Sequence, residues 1–157
     1  MIRVAIIYGG YSPEWLISEK SAKVVLANLN SESFELNLVH INWDGWFVKL
    51  ANGSSAWVNR DDFSFDLNGV KHKFDIVFNA IHGTPGEDGK LAGYFDMLQI
   101  PYTSAGVMAS SLTFSKSYCN GFLRQFDAIN IAASVLVRKG AVIDEDSILE
   151  KVGLPCF

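Results

Sequence analysis

The sequence predicts an α/β fold: a Rossmann-like domain with a parallel sheet core and small β-hairpin decorations. Short apolar runs such as residues 4–8 and 75–81 suit strands covered on both faces, and helical segments follow them. Between these runs, Asp44-Gly45 and Asn68-Gly69 are hairpin turn dipeptides flanked by strand-forming residues. Because ligands of such sheets gather beyond the carboxyl ends of the strands, we expect the functional residues there.

The first part of the chain is predicted to form a strand, a helix and a second strand. Residues 4–8 form the first strand, which ends at Gly9-Gly10. Ser12-Pro13 is typical of a helix start, with Ser as N-cap and Pro at the first helical position. The helical stripe continues to Asn30, and residues 34–41 are strand-like.

The middle of the chain contains the predicted hairpins. Residues 43–74 are expected to form antiparallel ribbons, and three of the four tryptophans lie there. We interpret these tryptophans as packing anchors, because a base-stacking surface would need basic neighbours. Residues 75–81 are predicted to be a buried strand, residues 88–98 a helix and residues 100–103 a short strand.

The last third of the chain is predicted to be mainly helical. A helical segment begins near Ala105, and Ser115 is expected to cap a helix over residues 116–126. Residues 134–138 are strand-like, residues 144–152 are helical, and a further strand is expected to begin at residues 154–157.

Composition excludes several classes of function. The chain has 157 residues and a formal net charge of −4, which gives no reason to expect a nucleic-acid partner, and no basic cluster suggests a membrane surface. Its two cysteines provide neither a disulfide framework nor a zinc spacing, and no metal ligand is predicted. The chain opens directly into a strand-like run, so a cytoplasmic setting is expected.

The first candidate segment lies between the first strand and the first helix. Gly9-Gly10 lets the backbone approach a ligand, and a helix start presents free amides. The segment lacks the glycine spacing of a dinucleotide site, and by itself it is typical of any strand-to-helix turn. Glu14 has two interpretations: it compensates the helix dipole, or it is the counter-ion of a substrate ammonium group.

The second candidate segment, residues 82–89, is richer in chemistry. His82 ends an apolar strand and is followed by three glycines, a proline and an acidic pair. It is either a catalytic group or a hydrogen-bonded histidine with a structural role. Glu87 and Asp88 are interpreted as caps of the following helix.

The third candidate segment, residues 101–110, again places small residues at a strand-to-helix junction, with Lys116 beyond it. Lys116 is either an ordinary solvated lysine or a phosphate contact.

Together the three segments resemble D-alanine–D-alanine ligases. Gly9-Gly10-x-Ser12-x-Glu14, with Ile17-Ser18 and Ser21-Ala22 after it, is similar to that family's opening motif. Residues 82–89 match its H-G-x-x-G-E-D-G motif, and residues 102–110 with Lys116 resemble its third. The motifs occur in order across nearly the whole chain. Gly153-Leu154-Pro155 resembles the approach to a segment whose lysine binds ATP.

The resemblance implies a pre-ATP-grasp domain over residues 1–104 and the beginning of an ATP-grasp domain over residues 105–157. It further implies an ATP- and Mg²⁺-dependent ligase that joins two D-alanine molecules through an acyl phosphate for peptidoglycan synthesis and cell-wall biogenesis, and that is a homodimer at full length. Most of the ATP and Mg²⁺ sites would lie beyond this chain, so the chain itself is expected to be inactive.

The resemblance also implies roles for single residues. Glu14 would receive the ammonium group of the first D-alanine, and Ile17 and Ser18 would belong to the same substrate site. His82 would act in the catalytic polar network near Glu14, and Lys116 would contact the phosphates of ATP.

One departure and three alternatives accompany this interpretation. The family usually has His or Arg and then Glu after the motif glutamate, whereas this chain has Trp15 and Leu16. A relative that uses D-lactate or D-serine remains open, as does a non-catalytic Rossmann-like module that binds a small molecule. A nicotinamide- or flavin-binding protein is disfavoured by the glycine spacing.

Overall fold

The computed structural model describes residues 1–30 and 32–156. The chain forms two compact units, one comprising Met1–Ser111 and the other beginning at Leu112. Within the described residues, none of the helices combines the length and apolar character needed to cross a bilayer.

The first unit contains one seven-stranded sheet with the strand order β6-β5-β4-β3-β2-β1-β7. β1 is parallel to both of its neighbours, β2 and β7, and each remaining pair is antiparallel. The strands are β1 (Ile2–Gly9), β2 (Phe34–Asn42), β3 (Gly45–Lys49), β4 (Ser55–Asn59), β5 (Ser64–Leu67), β6 (Val70–Lys73) and β7 (Ile76–Asn79).

The α/β fold with a parallel core is confirmed, and the predicted hairpins are also present. They differ from the prediction in one respect, since they extend the main sheet instead of decorating it. β3 pairs with β2 through Val48 and Val39, and the ribbon continues outward from there. The physical reason is that β2 would otherwise leave a row of backbone donors and acceptors unpaired on that side.

β1 is covered on both faces, as its continuous apolar run predicts. Ala5 and Ile7 point into one core cluster, whereas Val4, Ile6 and Tyr8 point into the other, which also contains Ala22 of the first helix. Alternate side chains of a strand point to opposite faces, so a strand packed on both sides must be apolar at every position.

One helix connects the parallel strands β1 and β2, and the other helices of the described residues follow β7 along the chain. Their bounds are α1 (Trp15–Asn28), α2 (Lys90–Leu98), α3 (Val107–Phe114), α4 (Lys116–Leu123) and α5 (Glu145–Val152). At α5, the Asp144 carboxylate accepts a hydrogen bond from the backbone N–H of Ser147, as an N-cap does.

The tryptophans follow the packing prediction only in part. Trp46 is buried against the edges of the Phe63 and Tyr94 rings, and Phe63 is fully buried. Trp43 and Trp57 are instead 80% and 65% exposed. Their side chains project from the ribbon rather than into the core.

Several predicted boundaries were wrong. α1 begins at Trp15 with Glu14 as its N-cap, and the Ser12 hydroxyl instead accepts from the backbone N–H of Glu14 in the preceding turn. Ser115 precedes α4, but its side chain makes no capping hydrogen bond, and α4 ends at Leu123.

Three predicted strands are also absent from the described part of the chain. Residues 100–103 contribute a single bridge, Tyr102 to Val77, and no regular strand. Residues 134–138 and 154–156 form no strand, and Phe157 lies outside the described residues. An apolar run becomes a strand only where a neighbouring edge offers backbone partners, and among the described residues no strand pairs with residues 134–138 or 154–156.

Candidate functional site

Two loops meet at the carboxyl edge of the sheet. The first loop (residues 10–14) follows β1 and the second loop (residues 80–89) follows β7. The backbone N–H of Tyr11 donates to the carbonyl of Thr84 at 2.8 Å, and the Ser12 hydroxyl donates to the carbonyl of His82 at 3.1 Å. These two hydrogen bonds hold the loops side by side, because β1 and β7 are adjacent and parallel.

Ser18 of α1 joins the chain at the ends of β1 and β7, where the two loops begin. Its hydroxyl accepts from the backbone N–H of Gly9 at 2.9 Å and donates to the carbonyl of Ala80 at 2.8 Å. Ser18 is fully buried. This geometry gives the residue a structural role at the base of the loops, and the predicted contact of Ser18 with substrate stays a prediction.

Glu14 lies against the second loop. A β-carbon placed on Gly83 would lie 3.0 Å from Oε2 of Glu14 and 2.7 Å from Oγ of Ser12. Gly83 has a φ of +74°, a conformation that glycine adopts without strain. The missing side chain at this position therefore leaves the space that the Glu14 carboxylate occupies.

His82 lies beside Gly83 and is half-buried. Its Nε2 is 3.1 Å from the hydroxyl of Ser21, one α1 turn beyond Ser18. The structure thus brings the segments of Glu14 and His82 together, as the sequence predicted, at the carboxyl ends of the parallel neighbours β1 and β7.

Internal hydrogen bonds hold the second loop in shape. The Glu87 carboxylate accepts from the backbone N–H of Gly83 at 2.6 Å, and the carbonyl of Gly83 accepts from Gly86 and Glu87 at 2.9 Å. The side-chain amide of Asn79 donates to the carbonyl of Gly86 at 2.8 Å. Glu87 therefore braces the loop, which differs from the predicted cap of α2.

Asp88 lies at the start of α2. Its carboxylate accepts a hydrogen bond from the Thr84 hydroxyl at 2.6 Å and another from the backbone N–H of Lys90. It also forms an ion pair with the side chain of Lys90. Burial acts to raise the pKa of Asp88, but the hydrogen bonds from Lys90 and Thr84 outweigh it and leave that pKa below the usual value. The predicted capping role agrees with this geometry.

The first loop also borders an open cleft of about 450 Å³, whose lining residues include Tyr11, Trp15, His40 and Trp43. Tyr11 and Trp43 stack with ring centroids 4.1 Å apart. Trp15 is 44% exposed in this cleft, and its neighbour Leu16 is 51% exposed. Trp15 and Leu16, which stand where the family usually has polar residues, therefore lie at the surface of the first unit.

The two remaining predicted site residues are exposed. Ile17, three residues after Glu14, is half-exposed on α1. Lys116 belongs to the second unit, where it lines a cleft of about 440 Å³ with Ser117, Asn120, Arg124 and Ser134. Arg124 donates to the Ser134 hydroxyl at 3.2 Å.

The motif did not reveal which residues organise the site. Ser12, Ser21 and Gly83 hold or make room for the predicted site residues, although Ser12 was predicted only as a helix cap and no individual role was predicted for Ser21 or Gly83. The spacing of Glu14, Ser18 and Ser21 (i, i+4, i+7) was the signal that could have grouped them, because it places them on one face of a helix.

Comparison with known proteins gives a consistent family match. Residues 3–105 match the family described as the N-terminus of D-ala D-ala ligase. The D-alanine–D-alanine ligase of Bacteroides thetaiotaomicron is 43% identical over 154 residues, which cover 98% of this chain and 47% of the relative. The chain therefore spans about half the length of the curated relatives that it matches.

Solved structures show the same fold. D-alanyl-alanine synthetase A from Vibrio cholerae has a TM-score of 0.71 at 26% identity, over 80% of this chain and 38% of that protein. A D-alanine–D-alanine ligase from Bacillus anthracis, solved in complex with ATP, has a TM-score of 0.67 at 21% identity and supports the fold alone. Its match covers 96% of this chain and 44% of that protein.

Proposed function

Because this chain belongs to the D-alanine–D-alanine ligase family, we propose that it is the N-terminal, substrate-binding part of an ATP-dependent enzyme that joins two D-alanine molecules for peptidoglycan synthesis. In that reaction, the carboxylate of the first D-alanine attacks the γ-phosphorus of ATP, and ADP leaves. The amine of the second D-alanine then attacks the acyl phosphate and releases phosphate. A carboxylate needs this activation because its own oxygen is a poor leaving group.

The observation that carries the proposal is the position of the Glu14 carboxylate, whose Oε2 lies 3.0 Å from the place that a β-carbon on Gly83, next to His82, would take. Glu14 is exposed at the start of α1, so its charge can meet a ligand. A carboxylate there suits an ammonium group, and a neighbouring imidazole can hydrogen-bond the carboxylate or phosphate oxygens of the same ligand.

In this proposal each side chain has one task. Glu14 binds the ammonium group of the first D-alanine and thereby orients it. Ile17 lies one turn along α1 and lines the region of its methyl group. His82 belongs to the polar network around the reacting oxygens, and Ser18 supports both loops from beneath.

Lys116 fits a role toward ATP. The cleft that it lines also contains Arg124, and no carboxylate lies among its lining residues in the described second unit. Two cations in one cleft suit the phosphates of a nucleotide, which Lys116 would bind as a point charge. Mg²⁺ is a different case, since the described residues contain no group of three His, Cys, Asp or Glu side chains that could hold a metal ion.

The proposal extends to the whole protein. We expect residues 1–104 to form the pre-ATP-grasp domain and residues 105–157 to begin the ATP-grasp domain. A homodimer and a cytoplasmic location are the expected setting of the complete enzyme, and its second substrate is taken to be D-alanine.

Binding of D-alanine by this chain tests the proposal directly. We expect D-alanine, added at millimolar concentration to ¹⁵N-labelled protein, to shift the amide signals of Gly83 and Glu14 in a saturable manner. Glu14→Gln keeps the shape of the side chain but removes its charge, so it should weaken binding about tenfold or more, as expected for a lost charge-assisted hydrogen bond.

Glu32→Gln is the matched control, because Glu32 is exposed and lies outside both loops. It should bind D-alanine like the wild-type protein, and L-alanine should bind more weakly than D-alanine. Equal binding of D-alanine by the wild-type and Glu14→Gln proteins would remove Glu14 from this role. Absence of any D-alanine shift would count against the substrate-binding function of this chain.

A further inference from the structure

One face of α1 carries three polar residues that meet the two loops. Glu14 lies against Gly83, Ser18 joins the ends of β1 and β7, and Ser21 contacts His82. Their spacing aligns them along one side of the helix, because residues four and seven positions apart face the same direction.

Ser21 differs from Ser18 in what it holds. Ser18 is fully buried and bonds two backbone groups, as a purely structural serine does. Ser21 is half-buried, and its side-chain hydrogen bond to a described residue is the 3.1 Å contact with Nε2 of His82. Its partner is therefore a side chain of the proposed substrate site.

The hydroxyl proton of Ser21 is free to point at this nitrogen. A helical serine often donates to the carbonyl four residues earlier, which for Ser21 belongs to Ile17. Within the described residues, Ser21 makes no such bond. The hydroxyl can therefore donate to Nε2 of His82, which requires that Nε2 carry no proton and that Nδ1 carry it in the neutral ring.

We propose that Ser21 is a positioning residue that holds His82 in the tautomer protonated at Nδ1, and so presents Nδ1–H as the hydrogen-bond donor of the site. This proposal rests on the function proposed above, because it places the ligand against Nδ1 of His82, the ring nitrogen that Ser21 does not contact. When one ring nitrogen of a histidine is hydrogen-bonded to a neighbouring protein group, the ring keeps one orientation and one tautomer.

This arrangement divides the recognition of an amino acid between two groups. Glu14 accepts hydrogen bonds from an ammonium group, whereas Nδ1–H of His82 donates to an oxygen of a carboxylate or a phosphate. The opposite tautomer would present a bare nitrogen to the ligand, and that nitrogen would repel such an oxygen. Ser21 thus determines which chemical group His82 can recognise.

The tautomer can be read by NMR in the whole chain. With ¹⁵N-labelled histidine in alkaline solution, at a pH where the ring signals no longer change with pH, wild-type His82 should show one protonated-type signal from Nδ1 and one unprotonated-type signal from Nε2. In Ser21→Ala, this difference should shrink or reverse as the ring loses its fixed tautomer. Ser21→Thr retains a hydroxyl at the same position and should restore the wild-type pattern.

His40 and His72 are internal controls, since His40 stacks on Tyr8 and His72 stacks on Phe65. Their signals should stay unchanged, which shows that the fold is intact. If His82 keeps the same tautomer in a folded Ser21→Ala protein, or if wild-type His82 is protonated at Nε2, the proposal is overturned.

A second readout separates this proposal from the proposed function. In the D-alanine titration, Ser21→Ala should weaken binding about two- to tenfold, as expected for the loss of one neutral hydrogen bond, and Ser21→Thr should recover most of it. A wild-type chain that shows the fixed tautomer but no D-alanine shift would retain Ser21 as the positioning residue of His82 and would overturn the assignment of the ligand.

Discussion

The carboxylate of Glu14 occupies the space that a side chain on Gly83 would need, with Oε2 3.0 Å from the position of that β-carbon. Two segments 69 positions apart in the chain are thereby fitted to one another, and a glycine makes the fit possible. The first prediction follows from this contact.

Gly83→Ala should destabilise the protein more than Gly53→Ala. Both glycines have a positive φ, +74° and +83°, so each substitution should cost about 1–2 kcal/mol of backbone strain. At Gly53 nothing lies within 4 Å of the new β-carbon, whereas at Gly83 it meets Ser12 at 2.7 Å. Overpacking should add about 1–3 kcal/mol there. Urea denaturation of the two variants measures the difference, and equal losses would contradict the contact.

Ser18→Ala should lower the free energy of unfolding of the protein, even when no ligand is bound. The substitution leaves the N–H of Gly9 and the carbonyl of Ala80 without their shared partner in a buried site. An unsatisfied buried polar group costs about 1–3 kcal/mol. Ser33→Ala, at an exposed position, is the matched control and should leave the free energy of unfolding nearly unchanged. An equally small effect of Ser18→Ala would show that the hydroxyl bridge contributes little.

The stability of the protein should fall in mildly acidic solution because of His40. Burial, together with the nearby charge of Lys49, lowers the pKa of His40 below its ordinary value of 6.5, although Glu19 acts in the opposite direction. The folded state therefore binds the proton less well than the unfolded state. The resulting stability is complete above pH 6.5 and is lost as the pH falls through the folded pKa.

His40→Gln should remove this part of the pH dependence. The free energy of unfolding, measured by urea denaturation at about pH 7.5 and about pH 5.5, should fall more steeply with acid in the wild-type protein than in the variant. An NMR titration should place the His40 midpoint below 6.5. A midpoint at or above that value would contradict the prediction.

The chain by itself should not catalyse ligation. It spans about half of the relatives that it matches, and the resemblance places most ATP and Mg²⁺ contacts outside it. We expect no phosphate release above background when ATP, Mg²⁺ and D-alanine are added together. A complete D-alanine–D-alanine ligase from a relative serves as the positive control. Phosphate release that depends on D-alanine in the chain alone would overturn this expectation.

The sequence predicted the strands best where burial alone decides the structure. The run in β1 has apolar residues at consecutive positions, and only a strand covered on both faces uses them all. Residues 134–138 have a similar composition but form no strand among the described residues. Composition carries no information about whether a neighbouring strand is available to pair with them.

The sequence predicted which segments form the candidate site, but not which of their residues contact one another. Glu14 and His82 stood out because of their motifs, whereas Ser12 was assigned only a capping role and Ser21 had no assigned role. Ser18 was placed among the substrate-binding residues, but the structure shows its hydroxyl bonded to two backbone groups. A motif gives the order of residues along the chain and leaves their hydrogen-bond partners open.

The α/β class, the strand ends that carry the candidate site and the resemblance to a ligase family could all be predicted from the sequence, because apolar periodicity, glycine turns and motif spacing are local properties of the chain. The tertiary structure alone decided that Ser21 meets His82 and that Gly83 makes room for Glu14. These contacts join residues about 60 to 70 positions apart, and they exist only because β1 and β7 pair in parallel and bring their loops to one edge of the sheet.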